Sequence, residues 1–133
     1  LITYHWETEK LLRICYSDIV SGDELIQSAL EIAGDARFDY AQYVLGDWSK
    51  YTKTEISQED VRTLIAIMKS VTQICPNVKN ATVIRPDETG NALVAFYKML
   101  GDVLPWQIEI YHTFDDAFAW FGIERPAHLP AER

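Results

Sequence analysis

Apolar and polar residues alternate through most of the first sixteen positions. Ile2, Tyr4 and Trp6 interleave with Thr3, His5 and Glu7, and Leu12, Ile14 and Tyr16 with Arg13 and Cys15, the period-two pattern of strands with one buried face. Residues 7–10, Glu-Thr-Glu-Lys, read as the hairpin turn between them. The period then changes. Ser21 offers a hydroxyl at a helix cap and Glu24 a carboxylate three residues later, a capping box for a helix carrying Leu25, Ala29 and Ile32 on one face and closed by Gly34 and Asp35. A buried strand is predicted over residues 41–45, followed by a polar loop over residues 47–54 that is rich in hydrogen-bonding groups. Ser57-Gln58-Glu59-Asp60 repeats the capping pattern. It opens the strongest helical pattern, with Val61, Leu64, Ile65, Met68, Val71 and Cys75 along one face, and Pro76 ends it. Residues 81–84 form a short strand. Residues 89–104 form a helix with Leu93, Phe96, Tyr97 and Leu100 inward, and residues 107–111 the last strand. The final helix faces inward with Phe114, Ala117, Phe118 and Phe121.

An antiparallel hairpin followed by alternating helices and strands predicts an α/β fold. Its sheet is mixed, because strands joined by helical crossovers run parallel, and about four helices pack against it. The 133 residues suit one domain, which buries roughly two thirds of the unfolded surface at this size. The domain is expected to span residues 1–123, with 124–133, containing Pro126 and Pro130, a flexible tail.

Charge narrows the partners. Twenty acidic against twelve basic side chains give a formal charge of -8, which repels nucleic acid and anionic membrane at long range, so no nucleic acid and no membrane insertion are expected. The apolar runs are too short to span a bilayer, and the alternating start lacks the continuous apolar stretch of a secretory signal, so the expected location is cytoplasmic. Cys15 and Cys75 lack metal-type spacing and read as free buried thiols. His5, His112 and His128 are too far apart for a local metal motif, and no phosphate loop, dinucleotide loop or nucleophile elbow occurs. No catalytic residues, metal or cofactor are expected.

Ligands of open α/β sheets sit beyond the carboxyl ends of the parallel strands. That edge is expected to gather Asp47, Trp48 and Ser49 from one loop, Arg85 and Asp87 from the next, and His112 and Thr113 from the last, a set able to orient a small polar molecule. The same residue types cap helices and close turns for local reasons. Four tryptophans and seven tyrosines are a large aromatic load; Trp48 and Trp120 are candidates for core packing, an interface anchor or a ligand wall.

Several of these segments also resemble the SpoIIAA-like branch of the STAS superfamily, the fold shared by anti-sigma factor antagonists and the cytoplasmic domains of sulfate transporters. The resemblance rests on the opening hairpin, the run Val44-Leu45-Gly46-Asp47-Trp48-Ser49 before a capped helix, the helix with Leu93-Val94-Ala95-Phe96-Tyr97, and the closing Phe114-Asp115-Asp116-Ala117-Phe118-Ala119-Trp120-Phe121-Gly122. It implies a bacterial, non-enzymatic regulatory or protein-interaction domain. In the antagonists it also implies a phosphorylatable serine at the start of the helix after the third strand, and Ser57 is the serine nearest that place. The antagonists carry Asp-Ser-Ser/Thr-Gly there. This chain has Glu55-Ile56-Ser57-Gln58-Glu59-Asp60, so a phosphate on Ser57 gains from the helix N-terminus and is opposed by Glu55, Glu59 and Asp60.

The sequence therefore leads to a partner-binding module whose partner is another protein or a second copy of itself. The alternative is a carrier or sensor of a small apolar ligand held between helices and sheet, with Trp48, Tyr97 and Trp120 as wall candidates.

Overall fold

The computed structural model describes residues 1–86 and 91–129. Asp87 and the expected helix start at Thr89 lie outside the described residues. Strands β1 (Ile2–Trp6), β2 (Leu11–Ser21), β3 (Tyr43–Glu55), β4 (Lys79–Val83) and β5 (Gln107–Tyr111) form one sheet in sequential order. The β1–β2 pair is antiparallel and the other pairs are parallel. Helices α1 (Gly22–Ala33), α2 (Gln58–Ile74) and α3 (Asn91–Val103) make the crossovers, and α4 (Phe114–Phe121) follows the last strand.

Sequential order has a consequence for the layers. Three crossovers of the same hand, each moving one strand in the same direction, put α1, α2 and α3 on one face. That face carries Tyr16, Trp48, Leu64, Tyr97 and Leu100 in its core. The opposite face packs Leu11, Leu45, Ala81 and Val83 against Phe114, Ala117, Phe118 and Phe121 of α4, so every inward position expected of the last helix is buried. Both capping boxes form: Ser21 accepts from Glu24 N at 3.2 Å and Ser57 from Asp60 N at 3.0 Å.

The third strand departs from expectation. Residues 47–54 are strand rather than loop: Asp47 pairs in parallel with Cys15, and residues 50–55 run beside residues 17–21 of the long β2. The polar side chains suggested a loop, but Lys50, Thr52 and Lys53 are exposed, Asp47 is buried at 4% exposure against Ser49, and Trp48 and Tyr51 point into the helical core at 1% and 2% exposure. A plain strand cannot aim residues three apart at one face. Here the register shifts between Cys15 and Ser17, where β3 gains one residue, and the resulting bulge turns Tyr51 inward. A second shift follows at Asp18, whose φ is 56°.

Other differences are local. Asp35 does not simply close α1: it caps a 3-10 helix at Ala36–Tyr40 by accepting from Arg37 N at 2.9 Å. On α2 only Leu64 of the expected apolar face is fully buried, and Val61, Ile65, Met68, Val71 and Cys75 are half-buried. Both cysteines are free and half-buried rather than buried. After residue 123, Arg125 pairs with Asp115 at 3.3 Å, His128 pairs with Glu7, and Leu129 is 6% exposed in the α4 cluster.

Gly122 ends α4 at φ 77°, the left-handed region, where a β-carbon clashes with the backbone. Gly122→Ala is expected to destabilise the fold by about 1 kcal/mol, and Gly122→Asn by less. Urea unfolding midpoints of the three proteins check this ranking.

Candidate functional site

Parallel strands β3 and β4 and the turns that follow β4 and β5 bring the sequence-predicted residues to one edge of the sheet, and each described polar group there has a structural partner. The Asp47 carboxylate, 4% exposed, accepts from Ser49 N at 2.9 Å and from the Ser49 hydroxyl at 2.6 Å, a local turn of the kind aspartate makes with residues two ahead. Arg85 donates from Nη1 to the Ser49 carbonyl at 3.4 Å and lies over the Tyr51 ring at 5.0 Å. Nδ1 of His112 meets the Ile84 carbonyl at 2.7 Å, beside the bond from Ile84 N to the Tyr111 carbonyl. Thr113 caps α4, accepting from Asp116 N at 3.1 Å. The edge thus joins Ser49 to Arg85 and fixes His112 on the following turn, and its described groups hold loops and a helix start. Among the described residues no three His, Cys, Asp or Glu side chains are placed to hold a metal ion.

Trp48 belongs to the core instead. Its ring stacks on Tyr16 with centroids 3.9 Å apart and planes 5° from parallel, meets Tyr51 edge-on, and gives its indole N–H to the Tyr97 hydroxyl at 2.9 Å. Burial pushes the Tyr16 phenol well above its ordinary range, and the Tyr97 phenol above its own. Both stay neutral hydroxyls at physiological pH. Of the three aromatic wall candidates, Tyr97 alone lines the cavity described below. Trp120 sits on the other face, against Tyr111 and Phe121 with Lys79 over its ring.

Two hollows lie elsewhere in the fold. Beneath α1, α2 and α3 is a cavity of about 100 Å³, walled by residues such as Leu25, Ala29, Met68 and Leu100 and floored by Val44, Gly46 and Asn80 of the sheet. At the opposite, strand-start end lies an open groove of about 900 Å³ that includes Trp6, Arg37, Tyr40, Ile74 and Cys75. Ile74 and Cys75 also line an adjoining hollow that reaches Leu30. Around these hollows Tyr40 is 74% exposed, Ile74 75% and Leu30 51%. The helical spacing of α2 placed Ile74 off the apolar face, which was the available signal that it is outward.

This architecture is the SpoIIAA-like α/β fold. No protein-family model matches the chain, and no curated protein matches it. Solved structures do. The anti-sigma factor antagonist SpoIIAA in its unphosphorylated form is similar at TM-score 0.59 and 9% identity, covering 92% of this chain and 98% of that one. The phosphorylated form of SpoIIAA, the Bacillus cell fate determinant, is similar at TM-score 0.56 and 11% identity, covering 91% and 99%. An uncharacterized DUF3478 protein from Shewanella loihica PV-4 with a SpoIIAA-like fold is similar at TM-score 0.59 and 10% identity, covering 90% and 91%. Identities this low establish shared fold alone. Among the described residues no helix is long and apolar enough to cross a membrane.

Two outcomes follow from the site's geometry. Tyr97→Phe keeps the ring but leaves the Trp48 N–H without its acceptor, so a loss of about 1–3 kcal/mol is expected, read from urea unfolding followed by tryptophan emission. Asp35 takes two-pronged hydrogen bonds from the Arg37 side chain and one from its backbone, which lower its carboxyl to about 2. Its folded value lies below its unfolded one, so its contribution is present above about pH 4 and disappears as pH falls toward 2. A carboxyl-carbon NMR titration is expected to give a midpoint near 2, moving toward 4 in Arg37→Ala.

Proposed function

We propose that the chain is a non-enzymatic regulatory module of the bacterial STAS type that acts by binding another protein. The observation that carries this reading is the exposed apolar surface around Tyr40, Ile74 and Leu30. Large apolar side chains grouped around a groove, with polar residues beside them, are how a protein-binding surface differs from scattered surface apolars. The groove mixes Glu9 and Asp39 with Lys10 and Arg37, so its selectivity comes from shape and apolar contact more than from net charge. The strand-end edge supports the reading too, since Asp47, Ser49, His112 and Thr113 serve the fold. A cytoplasmic setting and a partner that is either a different protein or a second copy belong to this proposal.

Ser57 is exposed and its hydroxyl accepts the Asp60 N–H, while the Asp60 carboxylate lies close against Gly22 of α1. That carboxylate already sits at two helix N-termini, where a phosphate would have to compete with it. Phosphorylation of Ser57 is therefore not the carrier of the proposal.

A second reading, a carrier or sensor of a small apolar ligand, is favoured by one observation, the cavity between the helices and the sheet.

Tyr40→Glu and Ile74→Glu change exposed positions and are expected to leave the thermal midpoint within a few degrees of wild type. Light scattering of the purified chain and capture from native lysate read the interaction. The proposal expects a dimer mass or a captured protein that both variants lose. A monomeric wild type that captures nothing the variants fail to capture would overturn it.

A further inference from the structure

The cavity's lining is selective as well as apolar. Among the described residues its walls contain no aspartate, glutamate, lysine or arginine, so an ion buried against them would have no counter-charge to offset its desolvation. Charged ligands, fatty-acid carboxylates and amines among them, are excluded on that ground. Its volume of about 100 Å³ suits a single ring or a short branched chain, near the scale at which an apolar cavity in a protein stays dry and takes up benzene.

The polar groups on the lining are few, and their partners can be followed. The Ser28 hydroxyl donates to the Leu25 carbonyl at 3.0 Å, and that of Thr72 to the Lys69 carbonyl at 3.3 Å. The Tyr97 hydroxyl accepts the Trp48 indole N–H at 2.9 Å and also engages Tyr16. Asn80 differs. It is 6% exposed, at an inward position of β4 beside Val44, and its Nδ2 donates to the Val44 carbonyl at 3.1 Å. No described residue donates to its Oδ1. Oδ1 is not sealed in the interior but open to a water-sized probe, so its two lone pairs are available to a donor on a bound molecule.

We infer that the cavity is a binding site for a neutral, single-ring-sized molecule bearing one hydroxyl, and that Asn80 Oδ1 accepts the hydroxyl's hydrogen bond. The inference rests on the carrier reading and adds to it a ligand class and a recognition residue. The apolar body is held by burial against Leu25, Ala29, Met68 and Leu100, whereas the hydroxyl supplies the one bond that the lining lacks. Asn80 thus separates a phenol-like or alcohol-like molecule from a hydrocarbon of the same size, because only the former meets the buried acceptor.

The test uses the full chain with three probes, phenol, benzene and benzoate, and calorimetric or NMR titration as the readout. Phenol is expected to bind roughly tenfold more tightly than benzene, the factor of one net hydrogen bond, and benzoate not measurably. Asn80→Leu is expected to bring phenol to the benzene level and leave benzene unchanged. Ala29→Leu, which places a larger side chain in the cavity, is expected to abolish both. Equal binding of phenol and benzene by the wild-type chain would overturn the role of Asn80 while leaving an apolar carrier. Binding of neither would overturn the carrier reading itself. Measurable benzoate binding would overturn the neutral-ligand class. The wild-type comparison of the three probes decides these outcomes even where a variant folds poorly.

Discussion

A buried indole has a single polar atom, and here that atom, Trp48 Nε1, reaches the Tyr97 hydroxyl across the space between β3 and α3. The ring lies flat on Tyr16 of β2, so one side chain joins two strands and a helix. For the bond to exist, β3 must continue beyond Asp47 and present its next residue to the helical face. It does so by pairing with the extended end of β2, and the bulge after Asp47 then brings Tyr51 onto the same face. Large buried aromatics dominate core energetics and are exacting in geometry, which is why this contact governs the path of the longest strand.

The layer arrangement follows from topology and leaves two places where cover is thin. On the α4 face one helix cannot reach the β1 and β2 side of the sheet, and the row Thr3, Cys15 and Asp47 runs across it. The chain after α4 turns back over this region, with Leu129 in the α4 cluster and His128 paired to Glu7. The Glu7 side chain is 3% exposed, and this desolvation by itself raises a carboxyl, yet its bonds with Arg13 and His128 outweigh it and hold Glu7 below its ordinary value. On the other face α2 spans the sheet with only Leu64 and Thr72 fully buried. The space left beneath it is the cavity.

How much of this was legible depended on whether the governing interaction was local. Both capping boxes and the Phe114, Ala117, Phe118, Phe121 stripe were readable because the chain itself holds the whole rule within a few residues. Sheet type was readable because helical crossovers force parallel pairing. The β3 extension was not, since Asp47, Ser49, Lys50, Thr52 and Lys53 are polar and the partner that makes them a strand lies thirty residues earlier. Parallel strands made it readable which loops meet at the strand-end edge, but not that the Asp47 carboxylate would be buried with Ser49 as its donor. Asn80 gave no signal at all. An asparagine directly after Lys79 looks like a strand end, and only the register beside Val44 reveals it as a cavity floor.

The two surfaces proposed for function are not independent. Ile67 and Val71 of α2 line the internal cavity and also the outer hollow that reaches Leu30 and Ile74, and Phe38 and Ala33 are common to both. One layer of side chains separates ligand from partner. A molecule seated under α2 fixes the same helix whose outer end carries Ile74, and a partner gripping Ile74 constrains the roof of the cavity. Thermodynamic linkage makes such an influence reciprocal, and it exists only to the extent that ligand and partner prefer different positions of α2. The sparse burial of that helix supplies the necessary condition. Four buried residues lock α4 against the sheet, whereas α2 has two and rests over the cavity, so of these two helices α2 is the less constrained.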